Sequence, residues 1–380
     1  MKRITAFMVC LFLSCLVVLS GALAENDRMR LLRADPLSFS KQPISIDSVA
    51  SMPDGSLAVI YFAAGSEEVQ REYRLDLFAP DGVPLLSKSF GQFNIELDPY
   101  PFAQIILQSD GFLCEYYPDI TSMETCFQTA YGNAGKATGK EQKKKLPYGT
   151  AAYAERVGGY MVKKQAHAAD ERDASPYQAV EIVHIATGQS TLRSLYGWSD
   201  FCAFPDGDGD LLIAQKNERG SLEIRQYGLA DGLKETVIEL DGAWPAVDDH
   251  ARVQSAACIG RTAYLQIYLT NQESLILICD LEQEAIVGSS PLSAAEGSDY
   301  IAALRTADSM LLAVDGHWDE TAQRHLFRLD ALDSDLARTP LALAHGSCLY
   351  LFTEDEPGII TTIERGDSPA SYVVCRYAVQ

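Results

Sequence analysis

The sequence predicts an all-β fold, a seven-bladed β-propeller of four-stranded antiparallel blades whose ring is closed by an N-terminal strand in the last blade. Three observations support this prediction. A turn-forming dipeptide followed by an apolar strand recurs about every 50 residues, each repeat has room for four short strands, and no segment shows the pattern of a helix of normal length. Such repeats bury their faces only against their neighbours, which is typical of a propeller.

The repeated turns set the number of blades. Each is a pair such as Asp54-Gly55 or Gly158-Gly159, because a tight hairpin needs a positive φ that glycine and short polar residues tolerate. The second residues of the seven turns are Gly55, Gly111, Gly159, Asp210, Arg261, Ser309 and Gly358. The sequence therefore predicts seven repeats, each opening with an antiparallel hairpin.

The ends of the chain complete the predicted ring. The seventh repeat has only three strand candidates, whereas residues 29–37 form a strand candidate that precedes the first repeat. We expect this segment to supply the missing outer strand and so remove an open sheet edge. Residues 25–380 are then a single propeller domain, and residues 1–24 stand outside it.

Those first 24 residues have the pattern of an export signal. Lys2 and Arg3 precede an apolar run, and Ala22-Leu23-Ala24 gives a small-x-small cleavage site. Cleavage after Ala24 predicts a secreted or cell-envelope protein with no remaining membrane span. The alternative is an uncleaved anchor, because the run approaches the roughly 20 residues that span a bilayer.

The net charge and the cysteines of the chain bear on its binding partners and on its disulfides. The net charge of −21 would repel nucleic-acid phosphates, so we expect no nucleic-acid partner, and we expect a monomer. Beyond the leader lie seven cysteines without metal-ligand spacing. Cys114 and Cys126 are on consecutive strand candidates and could form a cross-strand disulfide; buried free thiols are the alternative.

The turn-and-strand units, as in PDGSLAVIY (53–61) and FPDGDGDLLIA (204–214), resemble those of exported bacterial seven-bladed propellers. The resemblance covers essentially all of residues 25–380. It implies the fold and no activity, because propellers serve as scaffolds, binding modules and enzymes alike.

Motifs for catalysis and cofactors are absent from the sequence. It contains no GxSxG, HExxH, GxxxxGK[ST] or helix-opening GxGxxG pattern, so we expect no cofactor and identify no catalytic residue. Residues 206–210 resemble the start of a calcium loop, but its twelfth position is Asn217 instead of an acid. We interpret this segment as an acidic hairpin turn and expect no metal site.

The predicted topology sorts aromatic and acidic residues onto one face of the ring. There, inter-blade connections and the loops between second and third strands come together. The candidate ligand-binding rim consists of Tyr100, Tyr148, Trp198, Asp200, Trp244, Asp248, Asp249, Asp299, Tyr300 and Trp318. Aromatic rings could stack on sugars or contact cations, while the alternative is that the rings wedge between blades and the aspartates cap turns.

Two functions from different classes fit these observations. The first is an exported non-catalytic binding or scaffold protein that recognises a protein or a glycan at the cell envelope or outside the cell. The second is a carbohydrate-active lyase or hydrolase that uses rim carboxylates such as Asp248 or Asp249 as acid and base. The run Lys140–Lys145 is interpreted as protection of an exposed outer strand in the second blade.

Overall fold

The computed structural model of this protein describes most of the chain from Arg28 to Val379. The described residues are 28–146, 152–165, 177–196, 201–241, 252–269, 274–320, 324–346, 348–353, 358–366 and 371–379. Every regular element within these ranges is a β-strand, in agreement with the predicted fold class. No helix in the described ranges is long and apolar enough to cross a membrane.

The strands of the described ranges form seven consecutive antiparallel groups. Blade 1 contains β2 (Pro43–Ser51), β3 (Leu57–Ala64), β4 (Gln70–Phe78) and β5 (Pro84–Asn94), and blade 2 contains β6 (Phe102–Gln108), β7 (Gly111–Tyr117), β8 (Thr125–Gly132) and β9 (Gln142–Lys145). Blade 3 contains β10 (Ala152–Val157), β11 (Tyr160–Gln165), β12 (Tyr177–His184) and β13 (Ser190–Tyr196). Blade 4 contains β14 (Cys202–Pro205), β15 (Leu211–Lys216), β16 (Leu222–Gly228) and β17 (Lys234–Glu239).

The second half of the ring continues the pattern. Blade 5 contains β18 (Arg252–Ile259), β19 (Thr262–Tyr268), β20 (Ser274–Asp280) and β21 (Ala285–Leu292), and blade 6 contains β22 (Tyr300–Ala307), β23 (Met310–Asp319), β24 (Arg324–Leu332) and β25 (Arg338–Pro340). Blade 7 contains β26 (Cys348–Thr353), β27 (Ile359–Arg365), β28 (Tyr372–Val379) and β1 (Met29–Leu37). One pairing, Phe327 with Cys348, joins the sheets of blades 6 and 7.

The N-terminal strand closes the ring, as the sequence predicts. β1 pairs antiparallel with β28 from Met29 opposite Val379 to Leu37 opposite Tyr372. The side chain of Leu37 is buried in the apolar cluster between blades 7 and 1. The Tyr372 hydroxyl also donates a hydrogen bond to the Pro43 carbonyl of blade 1. The first and last strands therefore hold the same blade together.

The hairpin turns carry the predicted positive φ angles. Two residues join β10 to β11, β18 to β19, and β22 to β23, and the first turn residue has a positive φ in each. In the last of these turns it is Asp308, at +52°. Blades 1 and 4 differ from the two-residue expectation, because five residues join their first two strands. The longer turn in blade 4 is the acidic segment 206–210, where the Asp206 carboxylate accepts hydrogen bonds from the Asp208 and Asp210 amides.

Apolar clusters between neighbouring blades hold the ring together. One joins blades 1 and 2 and reaches Met161 of blade 3, and separate clusters join blades 3 and 4, 4 and 5, 5 and 6, 6 and 7, and 7 and 1. The seven inner strands also contact one another in a complete cycle around the axis. Each blade thus buries its faces against the next, as propeller repeats must.

Of the two alternatives for Cys114 and Cys126, the structure has buried free thiols and no disulfide between them. β7 and β8 pair so that Cys114 lies opposite Thr129, three residues from Cys126. Side chains three residues apart on a strand leave opposite faces of the sheet. Cys114 therefore enters the cluster between blades 1 and 2, and Cys126 packs with Tyr117 instead. All seven cysteines of the described chain are free, and burial raises the pKa of the Cys114 thiol to about 12.

The ring closure leads to a prediction about stability. A chain beginning at residue 38 lacks β1, and we expect it to melt about 5 °C or more below a chain beginning at residue 28, because blade 7 loses its outer strand. A matched pair of substitutions tests the same strand by chemical unfolding. Leu37→Ala should cost about 2–4 kcal/mol, whereas Leu32→Ala, at a site that is 47% exposed, should cost less than about 0.5 kcal/mol. Equal effects of the two substitutions would contradict the closure.

The free thiols lead to a second prediction. In the chain from residue 25, an aromatic disulfide reagent should titrate seven thiols after unfolding in denaturant, and few of them in the folded protein at neutral pH. Burial keeps these groups protonated and out of reach of the reagent. Recovery of a peptide pair linked through Cys114 and Cys126 from the unreduced protein would contradict the register of β7 and β8.

Candidate functional site

The predicted rim is only partly within the described residues. Tyr148, Trp198, Asp200, Trp244, Asp248 and Asp249 lie outside them. Tyr100, Asp299, Tyr300 and Trp318 are described. Three of these four come together on blade 6, which makes this blade the best-defined part of the rim.

The strand register of blade 6 brings these side chains together. Tyr300 begins the inner strand β22 and lies opposite Gly316 of β23. Trp318, near the end of β23, lies opposite His325 at the start of β24. The start of an inner strand, the end of a second strand and the start of a third strand all meet on one face of the ring. We call Asp299, Tyr300, His317, Trp318 and His325 the blade 6 cluster.

Asp299 holds the backbone and one ring of this cluster. Its Oδ2 accepts a hydrogen bond from the Trp318 amide at 2.8 Å and lies 3.1 Å from Nδ1 of His317. The hydrogen bond from the Trp318 amide lowers the pKa of the Asp299 carboxyl, with a smaller contribution from His317. The carboxyl is exposed and ionised at neutral pH, so it can also accept hydrogen bonds from a ligand.

His325 contacts both aromatic side chains of the cluster, Trp318 and Tyr300. The ring of Trp318 meets the ring of His325 edge to face at 4.8 Å, and the Tyr300 hydroxyl lies 3.0 Å from His325 Nδ1. Trp318 is 37% exposed and Tyr300 38% exposed. A Cβ on Gly316 would overlap the ring of Tyr300, so the glycine lets that ring lie close to β23.

His317 and His325 belong to the cluster but not to the rim that the sequence predicts. His325 lies on a strand, where packing or exposure is the default interpretation, and His317 has no regular spacing from the other histidines. The signal in the sequence was the order of residues: His317 precedes Trp318, and His325 follows the short loop after β23. Pairing β23 with β24 as a hairpin across that loop would have placed His325 opposite Trp318, with His317 next to it in the chain.

Tyr100 lies apart from the blade 6 cluster. Its ring is 5.3 Å from that of Phe62 and 5.6 Å from that of Phe93, both in blade 1, and it is 51% exposed. It packs where the connection between blades 1 and 2 covers the outer part of blade 1. The ring of Tyr100 therefore packs on blade 1 and does not join the blade 6 cluster.

Among the described residues, two carboxyl groups have the raised pKa that an acid catalyst needs, and neither belongs to the cluster. Burial raises the pKa of Asp47, whose carboxylate accepts the hydroxyl of Tyr73 on blade 1. Burial also raises the pKa of Asp206, in the turn between β14 and β15 on the opposite face. The chemistry that the blade 6 cluster offers is accordingly stacking and hydrogen bonding. No three His, Cys, Asp or Glu side chains among the described residues could together hold a metal ion.

Comparisons with known proteins find structural likenesses at low sequence identity. No protein-family description matches this chain, and no curated protein matches its sequence. Among solved structures, U3-55K is 10% identical over 92% of this chain and 99% of that one, with a TM-score of 0.40. One of two prolyl endopeptidases is 16% identical over 86% of this chain and 46% of that one, with a TM-score of 0.48. The β-propeller domain of the Trilobed protease from Pyrococcus furiosus is 15% identical over 77% of this chain and 83% of that one, with a TM-score of 0.40. At these scores, the likenesses assign no activity, ligand or partner to this chain.

The hydrogen bonding of Asp299 leads to a prediction about its titration. The midpoint for its carboxyl carbon in an NMR pH titration should lie below the ordinary aspartate value, because the anion accepts the Trp318 amide. His317→Ala should raise this midpoint only in part, since the larger cause is the backbone amide. A midpoint at the ordinary value in the unsubstituted protein would contradict the geometry of the cluster.

Proposed function

We propose that this protein is an exported, non-catalytic binding module that recognises a glycan at the cell envelope or outside the cell, through the blade 6 cluster. The observation that carries the proposal is the partly exposed ring of Trp318, held beside an ionised carboxylate, an imidazole and a phenol. Its export rests on the leader pattern and the predicted cleavage after Ala24.

The composition of the cluster suits a sugar. An exposed aromatic face packs against the C–H face of a pyranose, while Asp299, His317 and the Tyr300 hydroxyl surround it with hydrogen-bonding groups. Asp299 fixes the Trp318 backbone, and His325 restricts the ring of Trp318 from one side. A preorganised aromatic of this kind loses little entropy when a ligand binds.

Export is compatible with the fold. Cleavage after Ala24 would leave β1 complete, because that strand begins at Met29. The strand that closes the ring would therefore remain on the mature chain. The buried thiols also suit such a compartment, since burial protects them from oxidation.

The blade 6 cluster supports binding better than glycoside cleavage. A glycosidase needs one carboxyl with a raised pKa facing an ionised one. Asp299 has a lowered pKa, and the described carboxyls with raised values are Asp47 and Asp206, outside the cluster. The carbohydrate-active lyase or hydrolase is therefore the alternative function, and the test that follows distinguishes it from binding alone.

A glycan array followed by single substitutions tests the proposal. We expect at least one glycan to bind, and Trp318→Ala to weaken that binding tenfold or more, equivalent to about 1.4 kcal/mol, because the stacking face is lost. Tyr177→Ala is the matched control, since it removes a ring that is 39% exposed at the start of the third strand of blade 3, on the same face of the ring. Its affinity should remain within twofold.

The same samples separate the functional classes. Binding without release of reducing sugar, lost on Trp318→Ala, supports the proposal. Release of sugar from a bound glycan would assign the protein to the carbohydrate-active enzymes. Equal binding by both variants would place the glycan elsewhere and overturn the role of the blade 6 cluster.

A further inference from the structure

A cavity on the ring axis forms a second candidate site, separate from the blade 6 cluster. It has a volume of about 570 Å³, within the range of small-molecule pockets, and all seven inner strands contribute to its wall. Its lining includes Asp47 of blade 1, Glu155 of blade 3, Arg305 of blade 6 and Tyr350 of blade 7.

The cavity wall is cationic although the protein is acidic. The charged residues in the wall are three cations, Arg156, Lys164 and Arg305, and two anions, Asp47 and Glu155. The chain as a whole has a net charge of −21. The ionised side chains of the wall sum to one positive charge, so a small anion inside the cavity experiences a net attraction in an otherwise acidic protein.

Four of these five charges already have partners. The Asp47 carboxylate accepts the Tyr73 hydroxyl, and Glu155 forms an ion pair with Lys164 at 2.9 Å. The Arg156 guanidinium donates hydrogen bonds to the carbonyls of Gly158 and Ser51, so it reaches from blade 3 to blade 1.

Arg305 differs from the other four. Its side chain is exposed to the cavity, and its hydrogen bond is to the carbonyl of the adjacent Leu304, at 2.9 Å. None of the ion pairs among the described residues includes Arg305. One bond to its own backbone leaves most of the five guanidinium N–H donors for a ligand.

The charge of Arg305 affects groups on two other blades, Cys202 on blade 4 and Tyr350 on blade 7. Burial raises the pKa of the Cys202 thiol to about 11, and Lys164 and Arg305 both oppose that rise, so the two cations act on the same point of the blade 4 wall. Burial likewise raises the pKa of Tyr350, against the opposing charge of Arg305. The guanidinium therefore acts on blade 4 and on blade 7 from its own position on blade 6.

We propose that the axial cavity binds a small organic carboxylate, with the guanidinium of Arg305 as its anchor. A planar guanidinium holds a carboxylate through two parallel hydrogen bonds. One excess positive charge in the wall matches a monoanion better than a phosphate dianion. The exposed amide of Gln254 and the rings of Phe102 and Tyr350 supply polar and apolar contacts for the rest of the molecule.

Calorimetric titration at constant ionic strength tests this site on the chain from residue 25. The probes are acetate, benzoate, succinate and glucuronate, with inorganic phosphate as the comparison anion. We expect at least one carboxylate to bind, and Arg305→Gln to weaken it tenfold or more. Arg219→Gln makes the same change of charge at an exposed loop position between β15 and β16, and it should leave the affinity within twofold.

Each result bears on the proposal. Loss of carboxylate binding in Arg305→Gln, with full binding in Arg219→Gln and in Trp318→Ala, supports the cavity as a site distinct from the rim. Stronger binding of phosphate than of every carboxylate overturns the chemical assignment. The absence of carboxylate binding at up to 10 mM, or its survival in a folded Arg305→Gln variant, overturns the site itself.

Discussion

The fold depends on the burial of apolar sheet faces between neighbouring blades. A blade such as β10–β13 is only four strands wide, and an isolated sheet of this size would leave both its faces in water. The interface clusters solve this problem by joining each blade to the next, and the cluster that contains Leu37 and Tyr372 joins the last blade to the first. Each interface therefore buries one face of each of the two blades that form it. The strand β1 contributes Leu37 to the interface between the last blade and the first.

Most features that could be predicted from the sequence are local ones. Turn dipeptides and the strands beside them involve residues close in the chain, so the repeat and the seven turns could be recognised from composition and spacing. The long-range pairing of residues 29–37 could be inferred because the seventh repeat lacks a fourth strand candidate. The pairing of β7 with β8 could not, because it depends on the conformation of the loop between them. Met123 in that loop has a positive φ of 47°, and a register different from the assumed one places Cys114 opposite Thr129.

The two candidate sites differ in how far the sequence could reveal them. Topology alone placed Asp299, Tyr300 and Trp318 on one face. The position of Arg305 could not be predicted from the sequence, because β22 has a bulge between Ile301 and Ala303. Under simple alternation, Arg305 would share the side of the buried Ile301, four residues earlier. The extra residue reverses this parity, so that Leu304 is buried while Arg305 enters the cavity.

The same bulged strand thus carries residues of both proposed binding sites. At its start, Asp299 and Tyr300 present an anionic and aromatic surface that suits neutral sugars, and near its end Arg305 presents a cation within a ring of seven inner strands. Salt screens exposed charges over about 8 Å at physiological ionic strength, whereas charges inside a cavity are screened less. The outward acidic surface therefore does little to oppose an anion once it is inside. The propeller supplies both environments because its inner strands begin at one face of the ring and continue along the wall of the axial cavity.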